Sequence, residues 1–471
     1  MIVIVVIVFQ LLGLGSAVHA VMSSRTPQGS VAWAVSLLTI PYISVPAYWI
    51  FGRNKFNGYI LARQDQLKDL EDIIREANDQ IADVTKIEPR NIGVMSGAEK
   101  LARSPMTGGN KTTLLIDGDA TFTSIFDGIE AAEDYILIQF YIVRDDDLGH
   151  ELQSRLIEKS RNGVRVYFLY DELGSFGLPD SYNAKLREAG VEIRPFHSRK
   201  GSGNRFQLNF RNHRKTVIVD GKVVWIGGHN VGDEYMGKSE EFGRWRDTHV
   251  RIEGNAVIAA QLAFIEDWRW STDMMLEDLS WKPQPAADEN SAVLIIASGP
   301  ADPMETASLM YTKAINSANN RVWIASPYFV PDDAIVQALQ LAGLRGVDVR
   351  IMIPEESDSK LVTLSAYSYF NEIASAGVHF YRYQGGFLHE KVMLVDDRVA
   401  TVGTANFDNR SFRLNFEITS LIVDAEFASE VEAMFEQDFN DSRIMELDEF
   451  DNKPFWFKLA VRTSRLAAPI L

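Results

Sequence analysis

Two stretches of this 471-residue chain present the same reactive set. They are "NHRKTVIVDGKVVWIGGHN", from Asn212, and "LHEKVMLVDDRVATVGTAN", from Leu388. Each places a His, a Lys two residues on and an Asp five beyond that, then a Gly and an Asn at equal later spacings. The first copy is His213, Lys215, Asp220, Gly227 and Asn230; the second, 176 residues on, is His389, Lys391, Asp396, Gly403 and Asn406. A lysine supplies charge and a carboxamide a hydrogen-bond donor, so each set suits a phosphoryl oxyanion. Two sets supply two imidazoles. One can attack phosphorus while the other protonates the leaving oxygen, which is the chemistry of phosphodiester exchange. Two lysines and two carboxamides (Asn230 and Asn406) already furnish the phosphate-binding potential, so neither a metal nor another cofactor is called for. The two copies are expected to build one active site across a pseudo-two-fold.

The stretch "HRKTVIVD" reads as a strand, which puts His213 and Lys215 on one face. "DGK" is a hairpin turn signal and "VVWIGG" the returning strand, which brings Asn230 back beside His213. Asp220 and Asp396 complete the candidate catalytic set at the turns, where they are expected to fix strand geometry rather than move protons. An imidazole that attacks or shuttles protons should be oriented by an acid at its far nitrogen. Asp247, 34 residues after His213, and Glu417, 28 after His389, lie in corresponding strand-like runs and are the expected orienting carboxylates. Glu417 is expected to orient His389, and Asp247 to stabilise a cationic phosphohistidine at His213. The other six histidines (His19, His150, His197, His229, His249 and His379) are not repeated and read as structural or surface residues. Without cysteine or a His-Glu-x-x-His pattern, zinc chemistry is not expected of them.

The elements that must hold these residues are repeated too. "DYILIQFYIV", the helical "LGHELQSRLIEKSRNG" and "VRVYFLYDE" are replayed as "RVWIASPYFVP", "DAIVQALQLAGLRG" and "VDVRIMIPE". Alternating strands and helices imply an α/β chain of two repeated α-β-α sandwich domains, residues 112 to 275 and 292 to 445, each with a largely parallel sheet. The Pro-rich polar run 279 to 291 reads as their linker, and residues 446 to 471 as a C-terminal tail. Eleven more residues separate "AGV" from the His in the first half than in the second. That insertion, "HSRKGSGNRFQLNFRN", reads either as a solvated loop or as a site-mouth loop touching anionic headgroups through Arg199, Lys200, Arg205 and Arg211.

Ahead of these domains, residues 1 to 22 and 31 to 51 are apolar and each long enough to cross a hydrocarbon core. They predict an N-terminal transmembrane hairpin, with a cleaved signal peptide as the competing reading of the first segment. Arg53, Lys55 and Arg63 follow the second span, against a lone Arg25 between the spans, which places the large region in the cytoplasm. Residues 62 to 84 have helical spacing in a charged background and predict a stalk helix. The net charge of -17 argues against a nucleic-acid partner and against bulk adsorption to anionic lipid, so recognition of phosphate must be local.

With its doubled His-x-Lys-x4-Asp motif, followed in the second copy by "GTANFDNRSFRLNFE", the chain resembles the phospholipase D superfamily. "ASGPADP", "SPYFVPDD", the paired apolar spans and the ending "NKPFWFKLAVRTSRLAAPIL" make it similar to the bacterial cardiolipin synthases within that superfamily. The resemblance implies a phosphatidyltransferase of the inner membrane that takes phosphatidylglycerol twice over, releasing glycerol through a phosphatidyl-histidine. It also implies the first-copy His213 as nucleophile and His389 as general acid, then base. A hydrolase releasing phosphatidic acid would share these motifs, and a non-catalytic scaffold would be expected to have lost a His or Lys from one copy.

Overall fold

The computed structural model describes residues 2–23, 27–52, 59–60, 97–196, 209–287 and 289–471. The expected stalk helix, most of the basic insertion and the cations Arg53, Lys55 and Arg63 lie outside these residues. The chain opens with helix Ile2–Ser23, which is apolar and long enough to cross a membrane. The second expected span is not one helix. It divides into Pro27–Thr39 and Pro41–Phe51, with Ile40 between them at φ -132° and ψ 57°. Pro41 causes the break: it lacks an N–H to continue the ladder and drives the residue before it out of helical geometry. Pro46, by contrast, is accommodated within the third helix. Ala17 and Ala20 of the first helix pack with Leu37, Val45 and Tyr48 of the other two. His19 Nδ1 lies 2.6 Å from the Tyr48 hydroxyl.

Beyond residue 97 the chain folds as two halves with one strand order. From its outer edge the first half runs Glu192–Phe196, Arg165–Asp171, Tyr135–Phe140, Thr216–Val219, Val223–Gly227, Thr248–Gly254, Thr107–Ile116. The second runs His379–Tyr383, Asp348–Pro354, Arg321–Ala325, Val392–Val395, Val399–Gly403, Asn415–Val423, Ser291–Ser298, with a further strand, Ser442–Ile444, added antiparallel outside this order at its edge. The innermost strands, Thr107–Ile116 and Ser291–Ser298, pair antiparallel, so the two sheets are continuous. Only the three outer strands of each order are mutually parallel, and the motif strand and those beyond it pair antiparallel. The sheet is therefore mixed rather than largely parallel. The hairpin within each motif reverses the chain, which an all-parallel sheet does not allow.

Helices cover both faces. Residues of Val257–Thr272 and Ala425–Asn440, one helix from each half, share a core with strands of both halves. The opposite face carries separate cores, one around Phe122, Leu152 and Leu186, the other around Tyr311, Leu339 and Phe370. Local chemistry repeats as well. The Asp146 and Asp332 side chains cap the helices after the first parallel strand by accepting from Gly149 N and Ile335 N. Gly190 and Gly377, in the repeated Ala-Gly-Val, have φ of 95° and 92°, a left-handed turn that glycine takes without strain before the next strand.

Candidate active site

Each histidine enters the site on backbone held by the other half. Arg211–Asn212 pairs in parallel with the start of Asn415–Val423, and His213 N donates to Phe416 O at 2.9 Å. Phe387–Leu388 pairs in parallel with Trp245–Arg246, and His389 N donates to Arg246 O at 2.8 Å. The acids cross with the backbone. His213 Nδ1 lies 2.9 and 3.0 Å from the two Glu417 oxygens, and His389 Nδ1 lies 2.6 Å from Asp247 Oδ2. The expected pairing, Glu417 with His389 and Asp247 with His213, is thus reversed. Spacing along one half cannot reveal a partner delivered by a strand of the other.

The acids are themselves fixed. Glu417 accepts from the Thr404 hydroxyl and from Asn415 Nδ2, and Asp247 Oδ1 accepts from Thr248 N at 2.8 Å. Lys215 Nζ donates to His213 O at 2.7 Å, and Lys391 Nζ donates to His389 O and lies 2.9 Å from His389 Nδ1. All six of these side chains are buried or nearly so. Asn230 and Asn406 follow the return strands and are also buried. Asn230 Oδ1 accepts from Ile142 N at 3.0 Å, which turns its NH2 group away from that bond. Among the described residues neither carboxamide bonds to a motif histidine or lysine.

Electrostatics follow from this burial. Desolvation pushes His213 down to about 4, with the Lys215 and Lys391 ammoniums acting the same way and Glu417 opposing. Desolvation and then Lys391 push His389 down to about 3 against the pull of Asp247. Burial also drives Lys391 down to about 8 and Lys215 well below the usual lysine range. For the acids burial acts upward, but it is outweighed by Lys391 and His389 at Asp247 and by His213 at Glu417, so both carboxyls stay below their ordinary values. Each imidazole is thus neutral beside a carboxylate. Its Nδ1–H donates to that acid, which leaves the Nε2 lone pair available.

The histidines link pH to stability. Their folded values lie below 6.5, so between about 6.5 and 4 the unfolded chain binds more protons than the folded one. Stability is therefore expected to fall as pH drops through that window. Urea midpoints should fall less steeply for His213→Asn/His389→Asn, and an equal slope in the two proteins would contradict the assignment.

Asp220 and Asp396 stand apart from this cluster. Asp220 lies five positions beyond Lys215, roughly 16 Å along a strand. Its carboxylate accepts from the backbone N–H groups of Glu133, Asp134 and Tyr135. Asp396 does the same for Asn319, Asn320 and Arg321. Both have left-handed backbone, at φ 51° and 52°. They tie the hairpin turn to the start of the neighbouring strand, the geometric role expected of them, and stand away from the imidazoles. Asp220→Ala is expected to cost about 1–3 kcal/mol by stranding those donors. Asp220→Asn keeps an acceptor and tolerates the backbone, so its turnover should stay near wild type. Loss of turnover in that variant at an unchanged melting temperature would give Asp220 a chemical role.

The sequence reading missed the residues between His and Lys in each motif. Arg214 is buried and its guanidinium lies 2.9 Å from Asp267 Oδ2, while Glu390 is buried 3.3 Å from Arg246 Nε. Arg246 also pairs with Asp438 at 2.7 Å. Asp267 and Asp438 sit in the two matching helices on the shared core, in "EDW" and "QDF". That repeated Asp before an aromatic was the available signal.

A domain family described as "Cardiolipin synthase, PLD-like domain" matches residues 125–259 and 311–439. Cardiolipin synthase A of Pseudomonas putida (strain W619) is 47% identical over 464 residues, covering 98% of this chain and 96% of that protein. Cardiolipin synthase A of Pseudomonas syringae pv. syringae (strain B728a) is 46% identical over the same length and coverage. Among solved structures, phosphatidylserine synthase of Haemophilus influenzae Rd KW20 shares the fold at a TM-score of 0.59 and 17% identity, covering 80% of this chain and 100% of that one.

Proposed function

The chain belongs to the cardiolipin synthase family, and from that premise we propose that it is a membrane-bound phosphatidyltransferase making cardiolipin and glycerol from two phosphatidylglycerol molecules. The observation that carries the reading is the pair of neutral imidazoles, each with its Nδ1 on a carboxylate supplied by the other half. The two motifs then act as one active site. With His213 as nucleophile, its Nε2 forms a bond to phosphorus as the bond to the departing glycerol oxygen breaks, and His389 gives that oxygen a proton. Free His389 is neutral, and the arriving phosphodiester anion raises its proton affinity so that it can serve as the acid. Next, His389 takes the proton from a headgroup hydroxyl of a second phosphatidylglycerol. The freed oxygen attacks phosphorus and the phosphorus–nitrogen bond breaks. One phosphodiester replaces another, so no energy-rich donor enters. Glu417 holds the His213 tautomer and stabilises the cationic phosphohistidine, while Asp247 does the same for protonated His389. Lys215, Lys391, Asn230 and Asn406 hold the phosphoryl oxygens. Helix Ile2–Ser23 supplies the membrane attachment.

Purified protein given only phosphatidylglycerol should form cardiolipin and glycerol in equal amounts. Phosphatidic acid as the main product would make it a hydrolase instead. Because two lysines carry the positive potential, turnover should persist in excess EDTA. Loss on chelation with recovery on adding a divalent ion would count against the lysine-based site.

A further inference from the structure

The C-terminal helix Phe455–Ser464 and the turn Arg465–Ile470 have two unlike faces. Val461, Ser464 and Ala468 are buried, and Phe457 packs on Tyr367 with ring centroids 5.3 Å apart. On the opposite side Phe455 is 79% exposed, Trp456 69%, Leu459 55% and Leu466 81%. Two aromatic rings and a leucine of the helix, with a leucine of the turn, are turned to solvent, an unusual surface for a water-soluble domain.

Charge and position say what covers this face. Residues 452 to 471 carry Lys453, Lys458, Arg462 and Arg465 and no Asp or Glu, in a chain of net charge -17. Arg465 pairs with Glu372 at 3.1 Å, while among the described residues Lys458 Nζ donates to a backbone carbonyl, that of Asp451, and pairs with no carboxylate. The tail also ends where the N-terminal helices emerge. Asn209 Nδ2 donates to Phe51 O at 3.0 Å, and Arg410 donates to Asn209 O at 2.8 Å. Arg410 donates in turn to Ile470 O at 3.0 Å and to Leu471 O at 2.8 Å. Two residues, Asn209 and Arg410, thus connect the end of the apolar N-terminal region to the end of this tail. His213 N–H bonds Phe416 O, and Phe416 packs on Tyr59.

We propose that Phe455–Ser464 and the turn after it lie in the headgroup layer of an anionic bilayer, with Phe455, Trp456, Leu459 and Leu466 in the acyl boundary and Lys458 and Arg462 at the lipid phosphates. An aromatic-apolar face flanked by basic residues is the composition that partitions to such an interface. Held there, the helix fixes the tilt of the catalytic sheet, so that the histidines meet headgroups at the surface. The proposal rests on the membrane-bound reading above, and its test separates the two.

The chain has no cysteine, so Leu459→Cys provides a single labelling site outside the catalytic machinery. The full-length variant, carrying an environment-sensitive fluorophore, is reconstituted in vesicles of phosphatidylglycerol and phosphatidylcholine. The expected results are flotation with the vesicles after an alkaline wash and quenching of at least about twofold by lipids brominated high on the acyl chain. Adding Lys458→Glu and Arg462→Glu should reduce that quenching while flotation persists. Failure to float would overturn the membrane-bound reading and this proposal with it. Flotation with a label quenched by aqueous iodide but not by bromolipid would overturn this proposal alone. So would protection from both quenchers that grows with the protein-to-lipid ratio, which would mean that a second copy of the chain covers the face.

Discussion

Alanine at His213 is expected to lower cardiolipin formation by well over a hundredfold, and alanine at His389 to do the same. Neither imidazole can replace the other in one turnover, because one is bonded to phosphorus while the other holds the proton. The two losses should differ in kind. A leaving alkoxide needs a proton, whereas p-nitrophenolate does not. A phosphatidyl-p-nitrophenol substrate should therefore give His389→Ala a burst of nitrophenolate equal to the enzyme present, and give His213→Ala none. A burst in the His213 variant and silence in the His389 variant would exchange their roles and keep the two-imidazole scheme. Near-normal turnover in either variant would end the scheme.

The second large effect concerns the acids. Removing the negative charge that orients a catalytic imidazole costs on the order of 10^3 to 10^4 in turnover, through the wrong tautomer and an unsupported cation. Glu417→Gln and Asp247→Asn should both lose activity on that scale with little change in shape. Because the bonds run between halves, the Glu417 variant should behave like a lesion of His213 and the Asp247 variant like a lesion of His389. Phosphatidyl-p-nitrophenol should thus restore the release step in Asp247→Asn and not in Glu417→Gln. The reverse pattern would mean that each acid serves the histidine of its own half in solution.

Much of the fold was legible because it is written locally and written twice. Continuous apolar runs such as "YILIQF" became strands buried throughout, and the expected hairpins formed at Asp220 and Asp396. The residues gathered at the site were legible for the same reason. What local pattern does not carry is which strand lies beside which. The seam between Thr107–Ile116 and Ser291–Ser298, and the short parallel pairs that carry each histidine across it, are contacts between residues far apart in sequence. Hence the acids were identified but assigned to the wrong imidazoles. The division of the second apolar segment at Ile40 was a local misjudgement, since Pro41 and Pro46 look alike in composition but only one of them interrupts the helix.

The seam also bears on how the protein moves. Many two-domain enzymes admit substrate by hinging apart and exclude water by closing. Here the halves share a hydrogen-bonded sheet and one buried core, and both imidazoles are held by the opposite half. Opening a hinge at that line would tear strands apart and misplace both catalytic groups at once. Admission of substrate therefore has to proceed without the halves parting. The same coupling makes the catalytic region one cooperative unit, in which a defect in either half loosens the other.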